Sequence, residues 1–173
     1  SIIMKKFIFL ICFLGFGLLG FSQKYAIIDT RYILDKLPDY KTAQKQIEEI
    51  TDAWTKDIDS KQAQLDKMYK DYEAEQVMLS DDLKKKREDQ LFNKEKELRD
   101  LQRKRFGFEG DLFKKRQELV KPIQDKVYNA VQKMAVSRGY DFVLDKSEGI
   151  TIIFADPKLD KSEDVLKDMG VKN

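Results

Sequence analysis

Few residue types in this chain could do chemistry, and their placement limits what that chemistry is. Histidine is absent and Cys12 is the single cysteine. No nucleophile–base pair built on histidine or cysteine can be assembled from such a set, and no metal-ligand cluster, glycine-rich phosphate loop or nucleophile elbow is present. The 31 acidic residues are spread along helical stretches at solvated positions, the pattern of a charged helix surface and not of a paired-carboxylate centre. The sequence therefore reads as non-enzymatic, with no cofactor or metal implied.

What remains is the chemistry of weak binding. Tyr69, Phe92, Phe106 and Phe113 lie beside apolar stripes instead of in them. Side chains so placed either form a surface that grips unfolded chains at many weak points or pack against a paired helix or a neighbouring arm. Lys84-Lys85-Lys86-Arg87 and Arg103-Lys104-Arg105 belong to a stretch, residues 84–105, with ten basic and five acidic residues, whereas residues 66–82 carry six acidic and two basic. The basic run either captures anions or clients, or pairs across a hairpin and sets its register; the matched opposite charge favours pairing. Gly107 and Gly110 interrupt a helical stretch at about 1 kcal/mol each relative to alanine. They mark either a flexible point or a close approach of two helices.

The elements that position these residues are few and long, because the chain has only three prolines and eight glycines. Lys24 to Asp29 is an apolar run suited to a buried strand. Asp29 or Thr30 can cap a brief helical turn that Pro38 interrupts. From about residue 40 to 79 the apolar positions are Ala43, Ile47, Ile50, Trp54, Ile58, Leu65, Met68, Tyr72 and Leu79, one stripe of a single helix. Forty helical residues span roughly 60 Å, so the helix must project from any core of this mass. A turn is expected near Val77 to Asp82, with Ser80 as N-cap. The returning stripe reads Leu83, Leu91, Leu98, Leu101, Phe108, Leu112, Leu119, Ile123, Val127, Val131 and Met134. Pro122 either ends the arm or bends a continuous helix, and Gly139 closes it.

The last third differs in kind. Tyr140 to Leu144 and Ile150 to Ala155 read as strands joined by a five-residue loop ending in Gly149. Asp160 and Glu163 have capping-box spacing for a terminal helix, residues 164–169, stopped by Gly170. Three strands this short are not stable apart. They are expected to meet in one sheet, with Ile27, Ile28, Phe142, Val143, Ile152 and Ile153 in its core. That core is small, so copies of the chain are needed to complete it. The fold class is α+β, mostly α: a long antiparallel helical hairpin (40–121) projecting from a small β platform (24–39 and 122–173) shared between subunits.

Met4-Lys5-Lys6 followed by the apolar run Phe7 to Phe21 is read as a cleaved export signal over residues 1–23, too short for a membrane span of about 20 apolar residues. Removing Lys5 and Lys6 from the 33 basic residues leaves 31 against 31 acidic ones. A near-neutral mature chain without cysteine has no disulfide framework and no field for nucleic acid.

The stretches AIIDTRYILDKLPDYKTA and YDFVLDKSEGITIIFADPKLDKSEDVLKDMG, with the charged hairpin between them, resemble the Skp (OmpH-type) family of periplasmic chaperones over about residues 24 to 170. The resemblance implies a periplasmic homotrimer whose strands form a shared small barrel and whose arms enclose a cavity. It implies that unfolded outer-membrane β-barrel precursors are held there without ATP. The near-zero net charge gives no support to the lipopolysaccharide or peripheral membrane contact associated with more basic members. The rival reading is an envelope coiled-coil spacer or adaptor without chaperone activity.

Overall fold

The computed structural model describes residues 22–149 and 151–171. The export signal expected over residues 1–23, with Cys12, lies outside them except for Ser22 and Gln23. Strand β1 (Tyr25–Ile28) leads into helix α1 (Thr30–Lys36). Of the two expected caps, Asp29 or Thr30, it is Asp29 that caps α1, its carboxylate accepting from the Tyr32 amide at 2.9 Å. Leu37 ends the turn in an extended conformation, and Pro38 opens α2 (Pro38–Glu75) at a position where its missing N–H costs nothing.

Helix α2 runs unbroken for 38 residues, about 57 Å at the usual rise. A short 3-10 turn, Gln76–Met78, reverses the chain. Ser80 then caps α3 (Asp81–Phe106) by accepting from the Leu83 amide, and Asp81 and Asp82 face the positive end of the helix. The returning side is not one helix. It breaks at Gly107–Gly110, resumes as α4 (Asp111–Leu119), and continues as α5 (Lys121–Arg138). Pro122 only bends the chain, because Val120 keeps a helical backbone at the joint. Gly139, at φ 68°, closes α5 in the left-handed conformation.

Strand β2 (Phe142–Asp145) pairs in parallel with β1, Tyr25 opposite Phe142 and Ile28 opposite Asp145. The expected hairpin partner of β2 does not form. Of the segment read as a strand, residues 151–155 are irregular, with Ile153 96% and Phe154 84% exposed. A strand needs a partner ladder to satisfy its backbone, and among the described residues that segment meets none. The far side of β1 is occupied by Asp160, bridged to Ile27. The sheet core is accordingly smaller than expected. Ile27 and Ile28 are buried and Val143 is partly buried. Phe142 instead stacks half-exposed on Tyr25 at 5.4 Å, Ile152 is partly buried, and Ile153 lies in solvent.

The core of the base is mainly helical: Ile28 from β1, Ile33 and Leu34 from α1, Ala43 and Ile47 from α2, Ile123, Val127 and Met134 from α5. The terminal helix α6 (Ser162–Asp168) adds Val165 and Leu166. This helix starts two residues before its expected first turn, and the capping box is not made. Asp160 accepts from both the amide and hydroxyl of Ser162 at 3.0 and 2.7 Å, while Glu163 accepts from the Tyr32 hydroxyl. The nearer amide satisfies Asp160 first.

Two carboxylates tie the sheet ends to α1 and α6. Asp145 accepts from the Thr30 amide and hydroxyl at 3.2 and 2.5 Å and from the Ser147 amide at 3.0 Å. Lys146 reaches Asp160 at 2.7 Å, and buried Ser162 accepts from the Asp29 amide at 2.9 Å. Partial burial pushes Asp145 up, but the hydrogen bonds from Thr30 and Ser147 more than reverse this and hold it below its ordinary value. For Asp160 burial is likewise outweighed by bonds from Lys146 and Ser162. Both carboxyls are depressed on folding, so their stabilisation is present above an ordinary value of 3.8 and is lost as pH falls through the folded-state values. Asp145→Asn should cost about 1 kcal/mol near neutral pH, allowing for solvent screening. Urea unfolding from pH 7 downward should show the gap to the parent closing below about pH 4.

Candidate functional site

The arm carries the residues picked out for binding. Its outer seam is a separate apolar cluster of Ile58, Leu65, Leu91 and Leu98, flanked by Met68, Tyr72 and Leu101. Spacings of three, four and seven place these on facing stripes of α2 and α3, as the sequence pattern requires. Two phenols staple the stripes: Tyr69 donates to Glu95 at 3.0 Å and Tyr72 to Glu88 at 2.5 Å. Each hydrogen bond to a carboxylate raises its phenol above the ordinary value.

Tyr69, Phe92, Phe106 and Phe113 all remain substantially exposed, yet the fold does not gather them into one patch. Tyr69 and Phe92 belong to the outer arm, where Phe92 lies three residues, one turn, from Glu95. A shallow groove of about 390 Å³ there is lined by Gln62, Tyr69, Glu95 and Arg99 among others. Phe106 lies about 21 Å nearer the base, fourteen residues along the helix. It packs edge-on against Trp54 at 6.1 Å. Phe113 follows on α4. The arrangement is a file of half-exposed rings along the arm, suited to many separate contacts.

Sequence periodicity misplaced two members of this surface. Phe108 and Leu83 were expected in the seam, but Phe108 is 96% exposed and Leu83 about half exposed. Phe108 lies inside the helix break, where a repeat of 3.6 no longer says which way a side chain points. Val77 and Met78 at the hairpin turn are also exposed. Only their position in the turn signals this.

Charge pairing across the hairpin is sparser than the opposed charges imply. On the arm the one cross-hairpin ion pair among the described residues is Arg87 with Glu75, at 3.6 Å. Near the arm root Lys126 meets Asp39. Arg99 reaches Glu95 on its own helix, and Arg103 reaches Asp100. A neighbour one turn away is held by the helix itself, whereas a cross-hairpin partner requires two long side chains to be ordered. The basic run near the turn is thus largely open to solvent.

These features now meet a known family. Residues 24–169 match the family model described as outer membrane protein (OmpH-like). The chain belongs to the OmpH-like family. A curated relative, chaperone protein Skp of Yersinia enterocolitica, is 28% identical over 147 residues, which is 84% of this chain and 85% of that protein. Among solved structures, an OmpH-like protein from Caulobacter crescentus CB15 superposes with a TM-score of 0.67 at 14% identity, covering 88% of each chain. At that identity the superposition speaks for the fold: long helices on a small strand pair, the OmpH-like architecture. No helix among the described residues is long and apolar enough to cross a membrane.

The two glycines of the OmpH-like arm lie where backbone closely approaches backbone. Gly107 donates its amide to the Arg103 carbonyl at 2.8 Å, and a side chain there would place its first carbon 2.3 Å from that same oxygen. At Gly110 the added carbon would lie 2.7 Å from the Lys104 carbonyl and 2.9 Å from that of Gly107. Both are close approaches of backbone to backbone within the break, not contacts between the two helices. Gly107→Ala must displace a carbonyl that cannot rotate away. It should destabilise the arm by about 1–3 kcal/mol, even though alanine is the better helix former. Hydrogen exchange over residues 100–112 would check this; greater protection would contradict it.

Proposed function

We propose that this protein is an ATP-independent holdase of the periplasm. In this reading, several copies, three by resemblance to the family, place their arms around a cavity. Unfolded outer-membrane β-barrel precursors are kept soluble there before insertion. The observation that carries the reading is the file of half-exposed aromatic rings along a projecting arm, in a chain of the OmpH-like family. Rings strung along roughly 30 Å of arm can each hold a different part of a flexible chain. Many weak contacts in an enclosure raise the effective concentration of the next contact, so retention does not need a strong site. No nucleotide, metal or catalytic step is required.

Assembly is part of the proposal. The far edge of β2 carries no strand among the described residues, and Ile153 and Phe154 lie in water beside it in sequence. An unpaired edge and an exposed apolar segment are both covered when copies associate. Residues 1–23 act in this scheme as the export signal.

Dilution of a urea-unfolded β-barrel precursor into the mature protein should give a soluble, stoichiometric complex without ATP, read by light scattering and by complex mass. Replacing Tyr69, Phe92, Phe106 and Phe113 together by serine should weaken holding by roughly ten-fold, as expected when several weak contacts are lost at once, with the oligomer mass unchanged. Unaltered suppression of aggregation by that variant would remove the rings from the mechanism. Aggregation of every barrel tested would remove the holdase.

A further inference from the structure

The apolar interior of the arm is discontinuous. The base cluster reaches along α2 as far as Ile47, and the outer cluster begins at Ile58. Between them α2 offers only Ile50 and Trp54, both partly buried. The returning side at this level is the non-helical Gly107–Gly110, where Glu109 adopts a φ of 52°. A helical hairpin with a gap in its aliphatic seam should open there first, because local stability follows buried apolar contact.

One guanidinium bridges the gap. Arg105, in the last turn of α3, lies 4.6 Å from the centre of the Trp54 ring on α2. Its Nη1 is 2.7 Å from Oδ2 of Asp111, in the first turn of α4. These side chains are 30% and 22% exposed, the most enclosed ion pair among the described residues. The remaining ion pairs of α3 and α4 join residues three or four apart on one helix or, for Arg87 and Glu75, cross the hairpin near its turn. Among the ion pairs of the described residues, that of Arg105 alone links the two sides of the break, and Arg105 touches the opposing helix as well.

The chemistry of the three groups suits this task. A planar guanidinium can stack on an indole and keep its N–H edge free for a carboxylate, which an ammonium cannot do. The indole shields one face from water and so strengthens the charge-assisted bond at the edge. Asp111 gains further from the positive end of α4.

We propose that Trp54, Arg105 and Asp111 form a clasp that couples the outer arm to the base across the helix break. With the clasp closed, both halves of the returning side share one alignment along α2. With it open, the outer arm bends and frays as a unit while the base keeps its fold. The clasp is independent of the client-holding reading, and its test contains no client.

Hydrogen exchange of the full protein provides that test, comparing residues 98–106 with residues 123–134 in the base. Asp111→Asn keeps the size of the side chain and removes its charge. It should speed exchange across residues 98–106 by roughly three- to five-fold, the effect of losing one partly exposed ion pair, and leave residues 123–134 unchanged. Arg105→Lys keeps the charge and loses the stacking; it should act at the same place, and it carries the test if the first variant fails to fold. High salt added to the unmodified protein should loosen the same residues without any substitution. Unchanged protection of residues 98–106 in the variant and in salt would overturn the clasp. So would equal acceleration of the base, which would mean that the arm and base open together.

Discussion

The parallel pairing of β1 with β2 is the constraint on which the rest of the molecule depends. Residues at this junction that hydrogen-bond to one another, such as Lys24 and Asp141, stand 117 positions apart. Parallel strands cannot be joined by a tight turn, and the connection here is the entire arm together with α5. Closing so long a loop is less costly than its length implies, since each doubling adds only about 0.6 kcal/mol. The arm also folds back on itself and returns its own ends to the sheet. Hairpin and sheet therefore require each other.

The base shows how a small core compensates for its size. Only β1 is buried on the sheet, and most of the apolar contact comes from α1, the root of α2, α5 and α6. Polar bonds take over where that contact ends. Asp145 and Asp160 gather the hydroxyls of Thr30 and Ser162, and Ser162 in turn receives the amide of Asp29. Buried polar groups stabilise a fold only when fully satisfied, and no buried side-chain polar atom among the described residues lacks a partner.

Along the arm the balance is different. The outer seam contains four buried residues, all aliphatic, with little aromatic mass inside it. The large rings stand at the edges, so the surface keeps apolar area in reach of solvent without opening the seam. Charge contributes mostly within each helix, one turn at a time. The exceptions are Arg87, which crosses to Glu75 near the turn, and Arg105, which takes over where apolar packing lapses.

The long hairpin, the cap at Ser80 and the stop at Gly139 were legible in the sequence. They depend on local chemistry: a period of 3.6, a hydroxyl before a helix, a residue that accepts positive φ. The candidate rings were legible only as lying off the stripe; the fold leaves them half-exposed. Tertiary structure alone decided whether the second strand of the expected hairpin would form. Strand propensity in Ile152 and Ile153 has no effect without a neighbouring ladder, and the described residues of one chain supply none. It also decided that Phe108 leaves the seam and that Gly107 and Gly110 serve a backbone contact. The pairing of Arg105 with Trp54 was hidden as well, because these residues meet only after the chain has reversed and the helix has broken. Spacing along one chain determines which face a side chain occupies, but which faces meet depends on distant segments that the local pattern does not encode.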